Sequence, residues 1–335
     1  MSSEPIDNRL TSSVRLPSNE QREHLMVRVA KLYYDLERTQ SEIATELGLT
    51  RWQVGRLLTE AKELGVVRIE ITPRAHRKTE LEVQLQQEYG LRDAVVVPSG
   101  GTQDSALLME SVAQAAAKYL AGLNPKTDLI GVSWGRTMSA VAKFLPSNWN
   151  PGVHVVLLNG STNIRSTSTH TSAVAEEFAQ AGGGTATLLP VPAIVGKKTT
   201  RDALEEDPII DRVLTLAEQA DVVCFGMGGV SHQSVLLSSG YLSEDDIDRM
   251  RDAGAVGDIL GRFIDRDGNI VDQTIDDRTV GLRLESLKRK QRSIGVVSGE
   301  EKLDVAVAAL KAGYVSVLIT DEATARHALK VKHDI

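Results

Sequence analysis

Residues 39–53 carry one helix-start signal twice, Thr39-x-x-Glu42 and Thr50-x-x-Gln53, with Gly48 between them. In such a box the threonine hydroxyl takes the N–H three residues on, and the Glu or Gln side chain returns to the threonine N–H. Both groups are donors that a helix start otherwise leaves unpaired. The first helix must be short, and Gly48 ends it where a left-handed conformation costs glycine little. Ile43, Ala44 and Leu47 share one side of that helix; Val54, Leu57, Leu58, Ala61 and Leu64 recur at helical spacing on the second. Ala44 is small where the two helices cross. Another helix starts near Ser18 and runs through HLMVRVAKLYYDL, Gly65 stops the last one, and Val66–Ile71 alternates as a strand does. The pattern predicts a winged helix-turn-helix.

Arg51, Trp52, Gln53, Arg56 and Thr59 are left on the outer face of the second helix, whose N-terminal part is the end such motifs insert into the major groove. With Thr50 at the helix start, Arg51, Trp52, Gln53 and Arg56 are the expected DNA-binding residues. Arg can fork onto guanine and Gln onto adenine, while Trp52 packs on a sugar or thymine methyl, or covers the preceding helix. Arg68 and Arg74 in the wing stand near phosphate height. Charge alone does not announce DNA binding, since nine Lys or Arg face nine Asp or Glu between Asn19 and Ala75. The expectation rests on pattern.

At 335 residues the chain exceeds one winged helix, and two domains are expected. The boundaries read as a disordered arm over 1–18, the DNA-binding domain over 19–75, a linker helix over 76–92 and a large domain over 93–335. A net charge of −7 leaves DNA affinity to a local patch and to self-association. The single cysteine, Cys224, sits in the apolar run DVVCFGMG, which suits a buried thiol and excludes disulfide stapling. No run approaches the roughly 20 apolar residues of a membrane span, and the first residues lack a signal-peptide core. A cytoplasmic protein without a membrane partner is expected.

Beyond Thr79, short apolar runs at 94–97, 129–132, 153–158, 222–225, 294–297 and 315–319 alternate with helical stretches. Continuous apolar strands alternating with helices imply a doubly wound parallel α/β sheet covered on both faces. Ligands bind such sheets beyond the carboxyl ends of the strands. One strand end reads Gly131-Val132-Ser133-Trp134-Gly135-Arg136-Thr137 and opens a helix, a setting that favours an anion or a polar sugar edge. A second ends at Leu158-Asn159-Gly160-Ser161-Thr162-Asn163, and a third at Phe225-Gly226-Met227-Gly228-Gly229. The third has Ser231 where a dinucleotide fingerprint wants its last glycine, so no nicotinamide cofactor is expected. Asp265-Arg266-Asp267-Gly268-Asn269 lacks the glycine of a calcium loop, Ile270 standing there, and reads as a hairpin turn. No metal is expected, and no histidine has the spacing or partners of a ligand or triad member.

Taken together, TQSEIATELGLTRWQVGRLLTEAKELGVVRIEI, GVSWGRT, LLNGST, FGMGG, SGYLS, GDILGRFID and VLITDEATA resemble the SorC family of sugar-responsive bacterial regulators over about residues 22–330. The resemblance implies that the large domain has the sugar-phosphate isomerase and glucosamine-phosphate deaminase fold, used for sensing. It implies operator DNA and a sugar or sugar-phosphate effector as partners, and a homodimer or homotetramer. By position, Gly135, Arg136 and Thr137, beside Ser133, would hold phosphate or a terminal hydroxyl. Asn159, Gly160, Asp258 and Lys302 would contact the sugar, and residues from Gly228 to Gln233 would close over it. The related enzymes' G-x-D-G-H segment is replaced by Gly226-Met227-Gly228-Gly229-Val230, so no catalytic residue is assigned. The expected function is effector-controlled transcriptional regulation of a carbohydrate-utilisation operon; the alternative is a sugar-phosphate isomerase or deaminase with a DNA-binding appendage.

Overall fold

The computed structural model describes residues 19–67, 77–100, 104–124, 126–161 and 173–333. The arm, the wing from Arg68 through Arg74, and Thr162 and Asn163 lie outside them. Backbone contacts divide the chain into two compact units, Met1–Thr72 and Pro73–Ile335.

The first unit holds α1 (Asn19–Tyr34), α2 (Gln40–Leu47) and α3 (Arg51–Glu63). Both capping boxes form. The Thr39 and Thr50 hydroxyls accept from Glu42 N–H and Gln53 N–H, and each partner side chain returns to its threonine N–H at 2.8 Å. Gly48 has φ 65° and donates its N–H to Ala44 O, the left-handed ending its position requires. Met26, Val29, Leu32, Ile43, Ala44, Val54, Leu57, Leu58 and Ala61 bury a small core, each large side chain contributing roughly 1.5–3 kcal/mol. Leu64 departs from the expected face: it is 65% exposed, because the helix has ended and Leu64 is its C-cap. A two-toothed bridge from Arg22 to Glu60, at 2.7 and 3.1 Å, ties α1 to α3.

The second unit opens with α4 (Thr79–Tyr89), the helix expected as a linker. It packs inside this unit, with Leu81 and Leu85 in its core and Tyr89 Oη donating to Ala328 O at 2.7 Å. Buried Glu82 accepts the Val96 N–H at 2.8 Å. There follow β1 (Asp93–Val97), α5 (Ser105–Ala121), β2 (Leu129–Val132), α6 (Arg136–Phe144), β3 (His154–Leu157), α7 (Val174–Ala181) and β4 (Thr185–Thr187). Next come α8 (Lys198–Glu205), α9 (Pro208–Gln219), β5 (Val222–Gly228), α10 (Val235–Ser238), α11 (Glu244–Asp252), β6 (Gly257–Ile259) and β7 (Arg262–Ile264). The chain closes with α12 (Gln273–Asp276), α13 (Leu284–Leu287), β8 (Arg292–Val296), α14 (Leu303–Lys311), β9 (Val317–Asp321) and α15 (Glu322–His333).

The strands line up as β1-β9-β8-β5-β2-β3-β4, every neighbour parallel. Burial is continuous over β9, over β1 and β8 after their first residue and over the first four residues of β5, as expected for strands covered on both faces. From β2 the next strand in sequence, β3, lies on one side; from β5 the next parallel strand, β8, lies on the other. The connections therefore diverge between β2 and β5, and the crevice at their carboxyl ends is the place such sheets bind ligands. Two features lacked a sequence signal. β4 is a three-residue edge strand without an apolar run, and β6 and β7 form an antiparallel ribbon that extends β5 through Met227 opposite Ile259 and Gly228 opposite Asp258. Among the described residues no helix is long and apolar enough to cross a membrane.

Candidate functional sites

In the first unit Arg51, Trp52, Gln53 and Arg56 are all exposed along one end of α3. Trp52, 70% exposed, does not cover the preceding helix; Arg56 lies over its ring with Cζ 5.7 Å from the centroid. A large apolar ring held in water beneath a guanidinium suits the sugar and base edges of a nucleic acid. Thr50 is engaged in the cap. Gln53 corrects the expectation of a fork onto adenine, because its Oε1 takes the Thr50 N–H at 2.8 Å and the Thr50 hydroxyl at 3.0 Å. The oxygen is thus occupied locally. Arg68 lies outside the described residues.

In the second unit a cavity of about 280 Å³ opens at the β2/β5 crevice. It is lined by Ser133, Gly135, Arg136, Thr137, Asn159, Gly228, Gln233, Asp258 and Lys302, so nine expected residues from five separate chain segments meet around one space. At one end α6 begins after Gly135, whose φ of 128° turns the chain, and no side chain caps its first turn. Free amides and the positive helix end are therefore presented beside Arg136, whose Nη2 donates to Gln233 O at 3.2 Å. Gly226 leaves room for Thr137, which a Cβ there would approach at 3.3 Å.

The lining also carries an amide, a carboxylate and an ammonium, from Asn159, Asp258 and Lys302. Asn159 is 3% exposed and its Oδ1 has no hydrogen-bond partner. A buried acceptor without a donor is costly unless something supplies one. Asp258 takes the Gly261 N–H at 3.0 Å, and burial pushes its carboxyl up to about 6, against the opposing pull of that N–H and of Lys302. Burial also lowers the Lys302 ammonium, with Glu301 opposing and Arg136 adding to the shift. A Cβ on Gly228 would fall 2.0 Å from Asp258 Oδ1, so only glycine admits the carboxylate. The turn from β6 into β7 holds Leu260 at φ 56°, a strained setting for a bulky residue, and both Leu260 and Gly261 line the cavity.

Gly160 is a correction. It does not line the cavity: its carbonyl accepts Trp134 Nε1–H at 2.7 Å, and a Cβ would meet the Val191 and Pro192 carbonyls at 2.6 and 2.5 Å. Its task is close backbone packing. Ser105, Met109, Ser298 and Glu301 line the cavity without having been singled out; only Glu301, adjoining Lys302, carried any signal.

Behind the site stands Arg262, 1% exposed. Nε donates to Leu282 O, Nη2 to Thr279 O and Gly281 O, and Nη1 to the Asp276 carbonyl and carboxylate. It thereby pins 276–282, and Gly281 in that segment is bridged to Asn159. Cys224 is buried, with its thiol pushed up by burial, and no cluster fit to hold a metal exists among the described residues.

Residues 74–330 match the family model Sugar-bind, described as "Putative sugar-binding domain". The chain is 34% identical over 306 residues to the deoxyribonucleoside regulator of Bacillus subtilis (strain 168), covering 91% of this chain and 97% of that one. The crystal structure of the full-length sorbitol operon regulator SorC from Klebsiella pneumoniae superimposes with a TM-score of 0.69 at 29% identity, covering 93% of this chain and all of that one. A DeoR family transcriptional regulator from Listeria monocytogenes gives 0.67 at 26% identity over 75% of this chain and 98% of its own. All three relatives are named as regulators.

Proposed function

Because this chain belongs to the SorC/DeoR-type family of sugar-binding transcriptional regulators, we propose that α3 binds operator DNA of a carbohydrate-utilisation operon and that a sugar or sugar phosphate in the β2/β5 cavity sets its affinity. The observation that carries the effector half is the orphan Oδ1 of Asn159, a buried residue that lines the same cavity as the uncapped start of α6. A hydroxylated ligand supplies the donor that Asn159 Oδ1 lacks and can add a second to Asp258, and its phosphate or terminal hydroxyl receives the α6 amides and Arg136. Lys302 balances Asp258. The operator half is supported by Arg51, Trp52 and Arg56 standing exposed together at the head of α3.

Equal counts of basic and acidic residues between Asn19 and Ala75 make one head a weak binder, so the proposal includes a homodimer or homotetramer that engages repeated half-sites. Control must come from differential binding: a ligand with equal affinity for both arrangements of the oligomer shifts nothing, and a tenfold change in operator affinity requires about 1.4 kcal/mol of coupling. The test is fluorescence anisotropy of a duplex from the chain's own upstream region, titrated with protein in the presence of sugars, polyols and their phosphates. At least one of these ligands changes the midpoint. A panel that moves neither operator affinity nor melting temperature would remove the sensor.

Arg136→Ala separates phosphate recognition from hydroxyl recognition. Losing a charge-assisted contact is worth about 1.5–3 kcal/mol, so a phosphorylated ligand should bind roughly 10- to 100-fold more weakly. An unphosphorylated sugar changes little. Calorimetric titration of both on the variant checks this, and equal losses would give Arg136 a structural task through Gln233 alone.

A further inference from the structure

The two capping boxes provide an internal control. At the head of α2, Glu42 takes the Thr39 N–H and hydroxyl at 2.8 and 2.8 Å; at the head of α3, Gln53 takes the Thr50 N–H and hydroxyl at 2.8 and 3.0 Å. The return bonds to the threonine oxygens, 3.3 and 3.2 Å, also agree. The same task is thus done by a carboxylate in one helix and by an amide in the next. A carboxylate is favoured at a helix start by the positive end of the dipole, yet α3 has no acidic residue in its first turn. What the amide adds is a pair of Nε2 hydrogens. Among the described residues no group takes them, and they share the exposed end of α3 with Arg51, Trp52 and Arg56.

A side chain whose oxygen is committed to the cap can only donate. A fork onto adenine needs both a donor, for N7, and an acceptor, for the N6 amino group; guanine offers N7 and O6, acceptors both. We infer that Gln53 is a donor-only reader of the operator, recognising the acceptor edge of a purine and taking guanine at least as well as adenine. The inference rests on the operator reading proposed above. It adds which base Gln53 selects, and it explains why this box uses Gln where its neighbour uses Glu.

Full-length protein is used to select duplexes from a randomised pool, and single positions of the enriched sequence are then exchanged. Gln53→Glu keeps the cap, as Glu42 does in α2, and removes the donor; Gln53→Ala removes both. Gln53→Glu should melt at the wild-type temperature or above it, and Gln53→Ala below it. For the wild type, one purine position should lose about five- to tenfold in affinity on 7-deaza substitution, with guanine equal to or better than adenine there. In Gln53→Glu that position should become indifferent to 7-deaza substitution. A tenfold preference for adenine at the Gln53-dependent position would overturn the inference, as would the absence of any such position. Failure of the wild type to enrich any sequence would instead remove the operator reading on which it rests.

Discussion

Arg262→Ala is expected to cost the second unit about 3–5 kcal/mol, a large part of the 5–15 kcal/mol that typically holds a domain folded. The side chain is 1% exposed and spreads its donors over four carbonyls and one carboxylate. Among the described residues alanine leaves Asp276 with the more distant Arg283, at 3.6 Å, as its one cationic partner, and strands carbonyls where water has poor access. Removing one partner of a buried ion pair is far worse than removing both, because the other charge stays behind unpaired. Urea denaturation of the full-length variant measures the loss, and Arg262→Ala with Asp276→Ala should recover part of it. An unchanged midpoint would mean that 276–282 is held by apolar packing alone. Because Gly281 of that segment is bridged to Asn159, whatever folded variant remains should also respond poorly to effector.

Asp258→Asn should have the opposite sign, raising stability at pH 7.5 while weakening effector. Burial lifts the Asp258 carboxyl from its usual 3.8 to about 6. The folded state therefore holds the proton more tightly than the unfolded chain. Stability from this group is fully present below the unfolded value, is lost as pH rises from about 4 to 6, and stays lost above. At about 1.4 kcal/mol per tenfold change in proton affinity the whole gap is worth roughly 3 kcal/mol. Lys302, which faces Asp258 together with Glu301 and Arg136 around it, loses a counter-charge in the variant. A net gain of about 2 kcal/mol at pH 7.5, and almost none at pH 4, is the expected balance. Urea titrations at the two pH values measure it. A variant less stable than wild type at pH 7.5 would show that the carboxylate serves the fold and not the ligand. Stability given up at a cavity wall is what a site kept ready for a hydroxyl donor requires.

The helix starts at Thr39 and Thr50, the left-handed Gly48, and the apolar strands β1, β2, β3, β5, β8 and β9 were legible because each depends on residues within a few positions of one another. The parallel sheet followed from alternation of strands and helices; the strand-end rule then pointed to 133–137, Asn159 and 226–229, the family resemblance added Gln233, Asp258 and Lys302, and all of these line one cavity. Arg262 was not legible. It stands in GDILGRFID as one charged residue among turn formers, and its partners come from 276–282, which only folding brings around it. Gly160 was misplaced for a related reason: a glycine after a strand suits ligand approach and close backbone packing equally well, and Val191 and Pro192 decide between them. The helix over Thr79–Tyr89 shows a narrow apolar stripe that fits a linker or a core helix, and the partner that buries Leu81 and Leu85 is 200 and more residues away at α15 as well as at neighbouring β1.

Sequence by itself determined the helix starts at Thr39 and Thr50, the left-handed ending at Gly48 and the apolar strands, because hydrogen-bond satisfaction and side-chain period act over one or two turns of chain. Tertiary structure alone decided which polar groups are buried, and with whom. Gln53 could be seen to cap, but that its oxygen stays occupied while its amide is free is a matter of geometry. Asp258 could be seen beside glycines, but its raised proton affinity comes from the desolvation that Gly228, Leu260 and the ribbon impose on it. Solvent exclusion is a property of the assembled core, and no window of sequence contains it.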